Sequence, residues 1–160
     1  MRLRSLDNFL REARIPYTGF RHPEAFTAQH EAAVSHVPGR SWAKIVVCFA
    51  DDELILAVVP AHFMVSLEEL RALSGARATR LAREQEFSGL YPECEPGAMA
   101  PFGNRFGQRV FVDRSLVGET EMVFNAGTHT DAIRMHYGDF AVLARPIVGA
   151  FAHPAARGRA

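Results

Sequence analysis

The sequence predicts an α+β domain with a mixed β-sheet, and three observations support this. Two nearly continuous apolar runs, residues 43–50 and 54–59, flank a tight turn at Asp51 and Asp52, which is typical of a central β-hairpin. Helical patterns fall between the strand pairs without the regular alternation of a parallel βαβ fold. The length of 160 residues suits one domain, and the hydrophobic share of 48% suits a globular one.

Helix and strand signals follow one another before the hairpin. Ser5 is expected to cap a helix whose apolar residues recur at helical spacing, and Pro16 ends it. Residues 17–22 indicate a short strand, which Pro23 stops. Thr27 is expected to cap a second helix.

Beyond the hairpin, Ser66 and Glu69 have the spacing of a capping box, and Gly75 supplies the glycine that commonly ends a helix. Residues 95–107 contain three glycines and two prolines and therefore predict a loop. The other expected elements are a strand at 78–82, a helix at 84–90, strands at 109–113 and 121–125, and a helix at 139–143. Residues 132–136 are expected to form either a strand or the first turn of a helix.

Composition limits the classes of function. The formal net charge is zero, so any contact with RNA must be local, through a patch or one pocket. Two cysteines form no disulfide framework, and no stretch approaches a membrane span of about 20 apolar residues. We therefore expect a single domain over residues 1–152, a flexible tail over residues 153–160, and a cytoplasmic protein that contacts neither membranes nor DNA.

Lys44 begins the most apolar strand, which is unusual because a lysine is almost never fully buried unless it is paired. Strand alternation places it on one face with Val46 and Cys48. Its ammonium either reaches a cavity, a carboxylate or a ligand anion, or extends from the strand end into water. The pattern alone leaves both possibilities open.

The segment from Gly97 to Gly103 also has two interpretations. Its glycines allow backbone conformations closed to other residues, and Pro101 fixes one φ angle. Such a loop could hold backbone N–H groups rigidly toward a developing oxyanion. The alternative is a plain surface connection, which is the more frequent case for this pattern.

Polar residues at 125–130 follow a predicted strand beside a glycine, a position that often lines a site. The alternative is a turn whose hydroxyl groups bond the backbone, with His129 as a structural donor. The seven histidines have no metal-binding spacing, so we predict no metal and no cofactor. Cys94 lies between two glutamates, which disfavour the thiolate that a nucleophile requires.

Three of these features, in this order, resemble the YbaK/ProX family, the editing domains that deacylate mischarged tRNA. Lys44 begins the strand Lys44-Ile45-Val46-Val47, as a lysine does in that family. Gly97-Ala98-Met99-Ala100-Pro101-Phe102-Gly103 is similar to the family's Gly-x-x-x-Pro loop, and Phe124-Asn125-Ala126-Gly127 to its later strand-end motif. The resemblance covers about residues 5–147.

The resemblance implies a mixed, mostly antiparallel sheet that curves into a partial barrel surrounded by helices. It also implies a hydrolase that cleaves the ester at the terminal ribose of tRNA without a metal, a cofactor or a protein nucleophile. The attacking group would be a ribose hydroxyl or a positioned water. The implied partner is the acceptor end of aminoacyl-tRNA, delivered by a synthetase or an elongation factor.

The same resemblance implies roles for individual residues. Lys44 would anchor the ester or the terminal phosphate, Gly97, Ala98 and Pro101 would form the oxyanion loop, and His129 would position substrate or water. The implied substrate-binding residues are Phe20, His22, Thr27, Phe102, Gly103, Asn125, Gly127 and Thr128.

The amino acid removed stays open, because Ile45 stands where some alanine-specific members have a polar residue. Two other functions remain as alternatives. One is a non-catalytic module that binds aminoacyl-tRNA or a synthetase. The other is a hydrolase of a different small ester or thioester that uses the same loop.

Overall fold

The structure is a computed structural model that describes residues 4–155. The helices in this range are α1 (Arg4–Glu12), α2 (Ala28–Val34), α3 (Leu67–Ser74), α4 (Glu84–Phe87), α5 (Arg114–Val117) and α6 (Tyr137–Ala144). The strands are β1 (Thr18–Arg21), β2 (Ala43–Ala50), β3 (Glu53–Pro60), β4 (Phe63–Val65), β5 (Thr79–Leu81), β6 (Val110–Asp113), β7 (Glu121–Asn125), β8 (Asp131–His136), β9 (Ile147–Gly149) and β10 (Ala152–Pro154).

The strands form a mixed, mostly antiparallel arrangement, which confirms the predicted fold class. The largest sheet has the order β5-β2-β3-β6-β9, and only its β3–β6 and β6–β9 pairs are parallel. The other two sheets within residues 4–155 are an antiparallel sheet of order β1-β8-β7 and the antiparallel pair β10-β4. The strands do not close into a barrel.

The predicted hairpin of β2 and β3 lies in the middle of the largest sheet. Its two faces pack into different hydrophobic clusters. Ala43 and Val58 lie in one cluster, whereas Cys48 and Val59 lie in another. Burial on both faces explains why the two strands are continuously apolar instead of alternating.

The predicted helix ends are confirmed where a capping residue supports them. The Thr27 hydroxyl accepts from the N–H of His30 at 3.2 Å and begins α2. The Ser66 hydroxyl accepts from the N–H of Glu69 at 3.3 Å, and Gly75 ends α3 with φ of 75°. A left-handed residue at this position favours glycine because glycine has no Cβ to clash.

Several short elements differ from the sequence expectations. A 3₁₀ turn, Gly103–Phe106, lies inside the expected loop, and the short helix α5, which was not predicted from the sequence, lies between β6 and β7. Strands β4, β9 and β10 were not predicted, because three residues are too few to show alternation. Strand β10 includes His153 and Pro154 of the expected tail, and residues 156–160 lie outside the described residues.

In the part of the chain that the structure describes, no helix is long and apolar enough to cross a membrane.

Candidate functional site

Strands β2 and β7 separate next to the predicted site. Trp42 and Val123 form an isolated parallel bridge, and the Val123 N–H donates to the Ser41 carbonyl at 2.9 Å. Beyond this bridge β2 pairs with β3 and β5, and β7 pairs with β8. Lys44 and Asn125 each lie two residues past the bridge, so they flank the opening between the diverging strands.

The segment 95–98 is fastened to the turn that follows β7. The Glu95 N–H donates to the Gly127 carbonyl at 2.8 Å, and the Gly127 N–H donates to the Ala98 carbonyl at 2.9 Å. The Glu95 carboxylate accepts from the N–H of His129 at 3.0 Å. These bonds hold the predicted oxyanion loop against the strand end that carries Asn125.

Gly97 is exposed, and its φ of 80° lies in the left-handed region. A Cβ added there would lie 3.7 Å from Cε1 of His129, so the histidine ring packs against the glycine. Within residues 4–155, the Gly97 N–H has no acceptor, whereas the Ala98 N–H donates to the Glu95 carbonyl at 3.0 Å. Of these two predicted donors, only Gly97 keeps its N–H available. Pro101 is buried and stiffens the chain where it enters the core.

Both ring nitrogens of His129 face protein groups. Nε2 lies 2.6 Å from the Pro96 carbonyl oxygen, and because a carbonyl only accepts, Nε2 carries a proton and donates. Nδ1 lies 3.7 Å from Oε2 of Glu31. The ring of Phe26, which is 67% exposed, lies 5.1 Å from the His129 ring and shields it from solvent. His129 therefore holds the loop in place through Nε2, while its buried Nδ1 has no hydrogen-bond partner within residues 4–155.

Four buried side chains, His22, Glu31, Asn125 and His129, form a group that we call the buried polar cluster. The Asn125 amide donates to Oε1 of Glu31 at 3.1 Å. Nδ1 of His22 donates to the Pro23 carbonyl at 2.8 Å, and its Nε2 lies 3.9 Å from Oε2 of Glu31. Burial raises the pKa of Glu31 from 4.5 to about 6, although hydrogen bonding to Asn125 and the nearby His129 oppose this.

Lys44 lies on the same side of the sheet as this cluster. Strand alternation places it on one face with Trp42, whose ring is 5.6 Å from the ring of His22. The side chain is half-buried, and burial lowers the pKa of its ammonium. No hydrogen bond or ion pair of Lys44 is found within residues 4–155. An unpaired ammonium in this position is available to a ligand.

The other predicted substrate-binding residues divide into three groups. Phe20 lies beside the cluster, with its ring 6.4 Å from that of His22. Thr27 and Thr128 make local bonds, as the Thr128 hydroxyl donates to the Asp131 carboxylate at 2.7 Å. Phe102 and Gly103 are buried in the core, where a Cβ on Gly103 would come within 2.9 Å of Leu56. The structure does not bring these last two residues to the opening.

Sequence reasoning missed Glu31 and Phe26. Glu31 follows Ala28 by three residues and precedes Ala32, so it lies on the apolar face of α2. A charged residue on such a face is a signal that could have identified it, because buried charges require partners. Phe26 carries no comparable signal, since single exposed aromatic residues are common.

Replacement of Glu31 by glutamine is expected to stabilise the fold at neutral pH. The folded-state pKa of Glu31 is raised to about 6, so its stabilising contribution is complete below pH 4.5 and is lost as the pH rises through about 6. Glutamine has no charge to lose, and its advantage at pH 7.5 should reach up to about 2 kcal/mol. Urea unfolding at pH 5 and pH 7.5 measures the difference.

The matched control is Glu53→Gln, at an exposed position that forms an ion pair with Arg109. This variant should gain no stability at pH 7.5. A Glu31→Gln protein that is less stable relative to wild type at pH 7.5 than at pH 5 would contradict the prediction.

The Cys94 thiol is not a candidate nucleophile, and the cavity described below does not include the candidate site residues Lys44, Asn125 and His129. Burial, and then the charge of Glu93, raise the pKa of the Cys94 thiol, which disfavours the thiolate as we expected. A cavity of about 290 Å³ lies between α1, residues 90–94 and the 3₁₀ turn Gly103–Phe106. Ala100 and Arg105 line it, but Lys44, Asn125 and His129 do not.

Comparison with solved structures shows the same fold in other proteins. A hypothetical protein has a TM-score of 0.83 at 15% identity, covering 92% of this chain and 99% of the other. A protein proposed as a trans-editing enzyme for prolyl tRNA synthetase has a TM-score of 0.80 at 19% identity, covering 94% and 96%. A signal transduction protein assigned in Marinobacter aquaeolei has a TM-score of 0.74 at 18% identity, covering 94% of this chain but 31% of that longer one.

Comparison with curated protein sequences yields no match. A family model described as the aminoacyl-tRNA editing domain matches residues 22–143, which is more than half of the chain. The matched range contains Lys44, the glycine-proline loop and the buried polar cluster, and it confirms the resemblance drawn from the sequence. The chain belongs to the aminoacyl-tRNA editing domain family.

Proposed function

We propose that the protein is a trans-editing hydrolase that cleaves the ester between a wrongly attached amino acid and the terminal ribose of tRNA. The observation that carries this proposal is the fastened loop at the opening between β2 and β7. Its exposed Gly97 has an N–H without an acceptor in residues 4–155, and the unpaired ammonium of Lys44 flanks the same opening. Fixed donors of this kind stabilise the charge that develops on an ester oxygen during hydrolysis.

The proposed reaction needs no protein nucleophile. The oxygen of a water attacks the ester carbonyl carbon, and the neighbouring ribose hydroxyl can relay the proton that this water gives up. The carbonyl oxygen becomes negatively charged and accepts from the Gly97 N–H. The bond to the ribose oxygen then breaks, the ribose oxygen takes a proton, and water supplies the second oxygen of the released carboxylate. Lys44 would hold the ester end or the terminal phosphate, and His129 would keep the loop in position.

The implied partner is the acceptor end of aminoacyl-tRNA. With zero net charge, the chain exerts little long-range attraction on a polyanion, so we propose local contacts at the opening. Delivery by a synthetase or an elongation factor would compensate for this weak attraction. The fold is shared with a protein proposed as a trans-editing enzyme for prolyl tRNA synthetase. This likeness makes tRNA specific for proline the first candidate substrate.

Deacylation of a panel of mischarged tRNAs tests the proposal. We expect release of amino acid from at least one of them well above the rate in buffer, beginning with proline tRNA that carries other amino acids. The protein should be treated with EDTA and remain active. No turnover on any member of a broad panel would contradict the proposal. Binding without turnover would instead favour a non-catalytic module, and hydrolysis of small esters unaffected by added tRNA would favour another hydrolase.

A further inference from the structure

The buried polar cluster turns four hydrogen-bond acceptors toward its interior. Four atoms there are buried and have no partner within residues 4–155: Nε2 of His22, Oε2 of Glu31, Oδ1 of Asn125 and Nδ1 of His129. Each histidine uses its other nitrogen to donate to a backbone carbonyl, so in the neutral ring the remaining nitrogen carries a lone pair. The Asn125 amide nitrogen already donates to Glu31, which leaves only its oxygen.

Buried acceptors that receive no hydrogen bond lower the stability of the folded protein. The side chains of His22 and Glu31 are 1% and 2% exposed, and that of His129 is 7% exposed, so bulk water does not satisfy them. A buried polar atom without a hydrogen bond costs about 1–3 kcal/mol. The cluster therefore requires a group that donates several hydrogen bonds and carries positive charge beside the Glu31 carboxylate.

The spacing of the acceptors suits a primary ammonium. Oε2 of Glu31 lies 3.7 Å from Nδ1 of His129 and 3.9 Å from Nε2 of His22, which is too far for direct hydrogen bonds. One nitrogen atom can lie at about 2.9 Å both from Oε2 of Glu31 and from either of the two ring nitrogens. An ammonium has three donors and no acceptor, whereas a water has two donors.

Lys44 does not supply this ammonium, because it forms no ion pair with Glu31 in the described chain. A metal site is not supported either, since residues 4–155 contain no group of three or more His, Cys, Asp or Glu arranged to hold a metal ion. The donor must therefore come with the ligand.

We propose that the buried polar cluster binds the α-ammonium group of the aminoacyl ester, and that the substrate class is restricted to aminoacyl-tRNAs with a free amino group. This inference rests on the proposed function. The His129 ring, which contributes one acceptor, packs 3.7 Å from the Cβ position of Gly97. In an α-amino ester the ammonium and the carbonyl sit on adjacent carbons, so one substrate can reach the cluster and the Gly97 N–H together.

One exposed side chain, Phe26, packs against the cluster. The Phe26 ring lies 5.1 Å from that of His129 and is 67% exposed, on the bend before α2. Few contacts hold an exposed side chain of this kind, so it can rotate on a nanosecond scale. Entry of the ammonium past Phe26 does not require the helix to unfold.

The test compares an aminoacyl-tRNA with its α-hydroxyacyl analogue, made from it by deamination. The two esters are nearly equal in size, and only one carries an ammonium. Each enzymatic rate is divided by the uncatalysed hydrolysis rate of the same ester, and EDTA is present throughout. For the wild-type protein we expect kcat/KM to be about 100-fold lower on the hydroxy analogue, because two or three charge-assisted hydrogen bonds are lost.

Glu31→Gln keeps the shape of the side chain and the bond from Asn125 but removes the charge. We expect its KM for the aminoacyl ester to rise by about tenfold or more, and its discrimination between the two esters to fall below about tenfold. Glu53→Gln, on the exposed ion pair at the far end of β3, should behave as wild type. If Glu31→Gln fails to fold, the wild-type comparison alone decides.

Equal normalised rates of the wild-type protein on both esters would overturn the inference and leave the proposed function intact. Loss of activity in EDTA with recovery on adding Zn²⁺ would also overturn it, because the acceptors would then bind a metal. No hydrolysis of either ester, over the whole panel of tRNAs, would instead be a failure of the proposed function.

Discussion

Lys44→Met is expected to lower deacylation by at least about 100-fold without lowering thermal stability, because an electrostatic donor is lost from the site. Methionine is close to lysine in length and fills the same half-buried position without a charge. The ammonium of Lys44 is partly desolvated and has no partner in residues 4–155, so its charge opposes folding. The variant should unfold at the same temperature as wild type or at a higher one.

Single-turnover deacylation and thermal unfolding, measured on the same preparations, check this prediction. The pKa of Lys44 is lowered from 10.5 in the folded protein. The stability advantage of methionine should therefore shrink as the pH rises toward 10.5, because deprotonation of the lysine removes the charge that opposes folding. Arg109→Met, which removes an exposed cation that pairs with Glu53, is the matched control and should retain activity. Activity of Lys44→Met within threefold of wild type would exclude the anchoring role.

Gly97→Ala is expected to reduce deacylation by about 100-fold, which is the effect of removing one oxyanion donor. Gly97 has φ of 80°, and a non-glycine residue in that conformation is strained by about 1–2 kcal/mol. The methyl group itself has room, since its nearest neighbour is Cε1 of His129 at 3.7 Å. The strain therefore rotates the peptide that presents the N–H, and turnover suffers more than folding.

Gly75→Ala provides an unusually close control for the backbone effect. Gly75 has φ of 75°, lies at the end of α3, and has nothing within 4 Å of an added Cβ. Both variants should lose a similar amount of stability in urea unfolding, but only Gly97→Ala should lose turnover. Equal turnover of the two variants would show that the Gly97 N–H takes no part in the reaction.

The elements that the sequence predicted well depend on neighbours close in the chain. Thr27 and Ser66 cap helices through bonds to residues three positions away, and the hairpin closes over two aspartates. The short strands β4, β9 and β10 depend instead on distant partners. Strand β10, for example, pairs with β4 about 90 residues earlier.

In the candidate site, too, features with a local sequence signal could be predicted, whereas contacts between residues distant in the chain could not. Lys44 and the glycine-proline loop could be proposed as site residues because they resemble motifs of the family in the same order along the chain. Glu31 could not be placed beside Asn125, since 94 residues separate them and only the folded chain brings them together. Nor could the sequence reveal that the Ala98 N–H is used by the Glu95 carbonyl, because this depends on the hydrogen-bond register of the loop.

The four facing acceptors of the buried polar cluster have a consequence for directed evolution. Variants chosen only for resistance to heat would tend to replace the groups whose charges or lone pairs oppose folding, and Glu31 is the clearest of these. Under the proposed function, such a selection would yield a more stable protein with weaker editing activity. A programme that aims at a durable editing enzyme should therefore leave this cluster unchanged and seek its gains at the surface or at the helix ends.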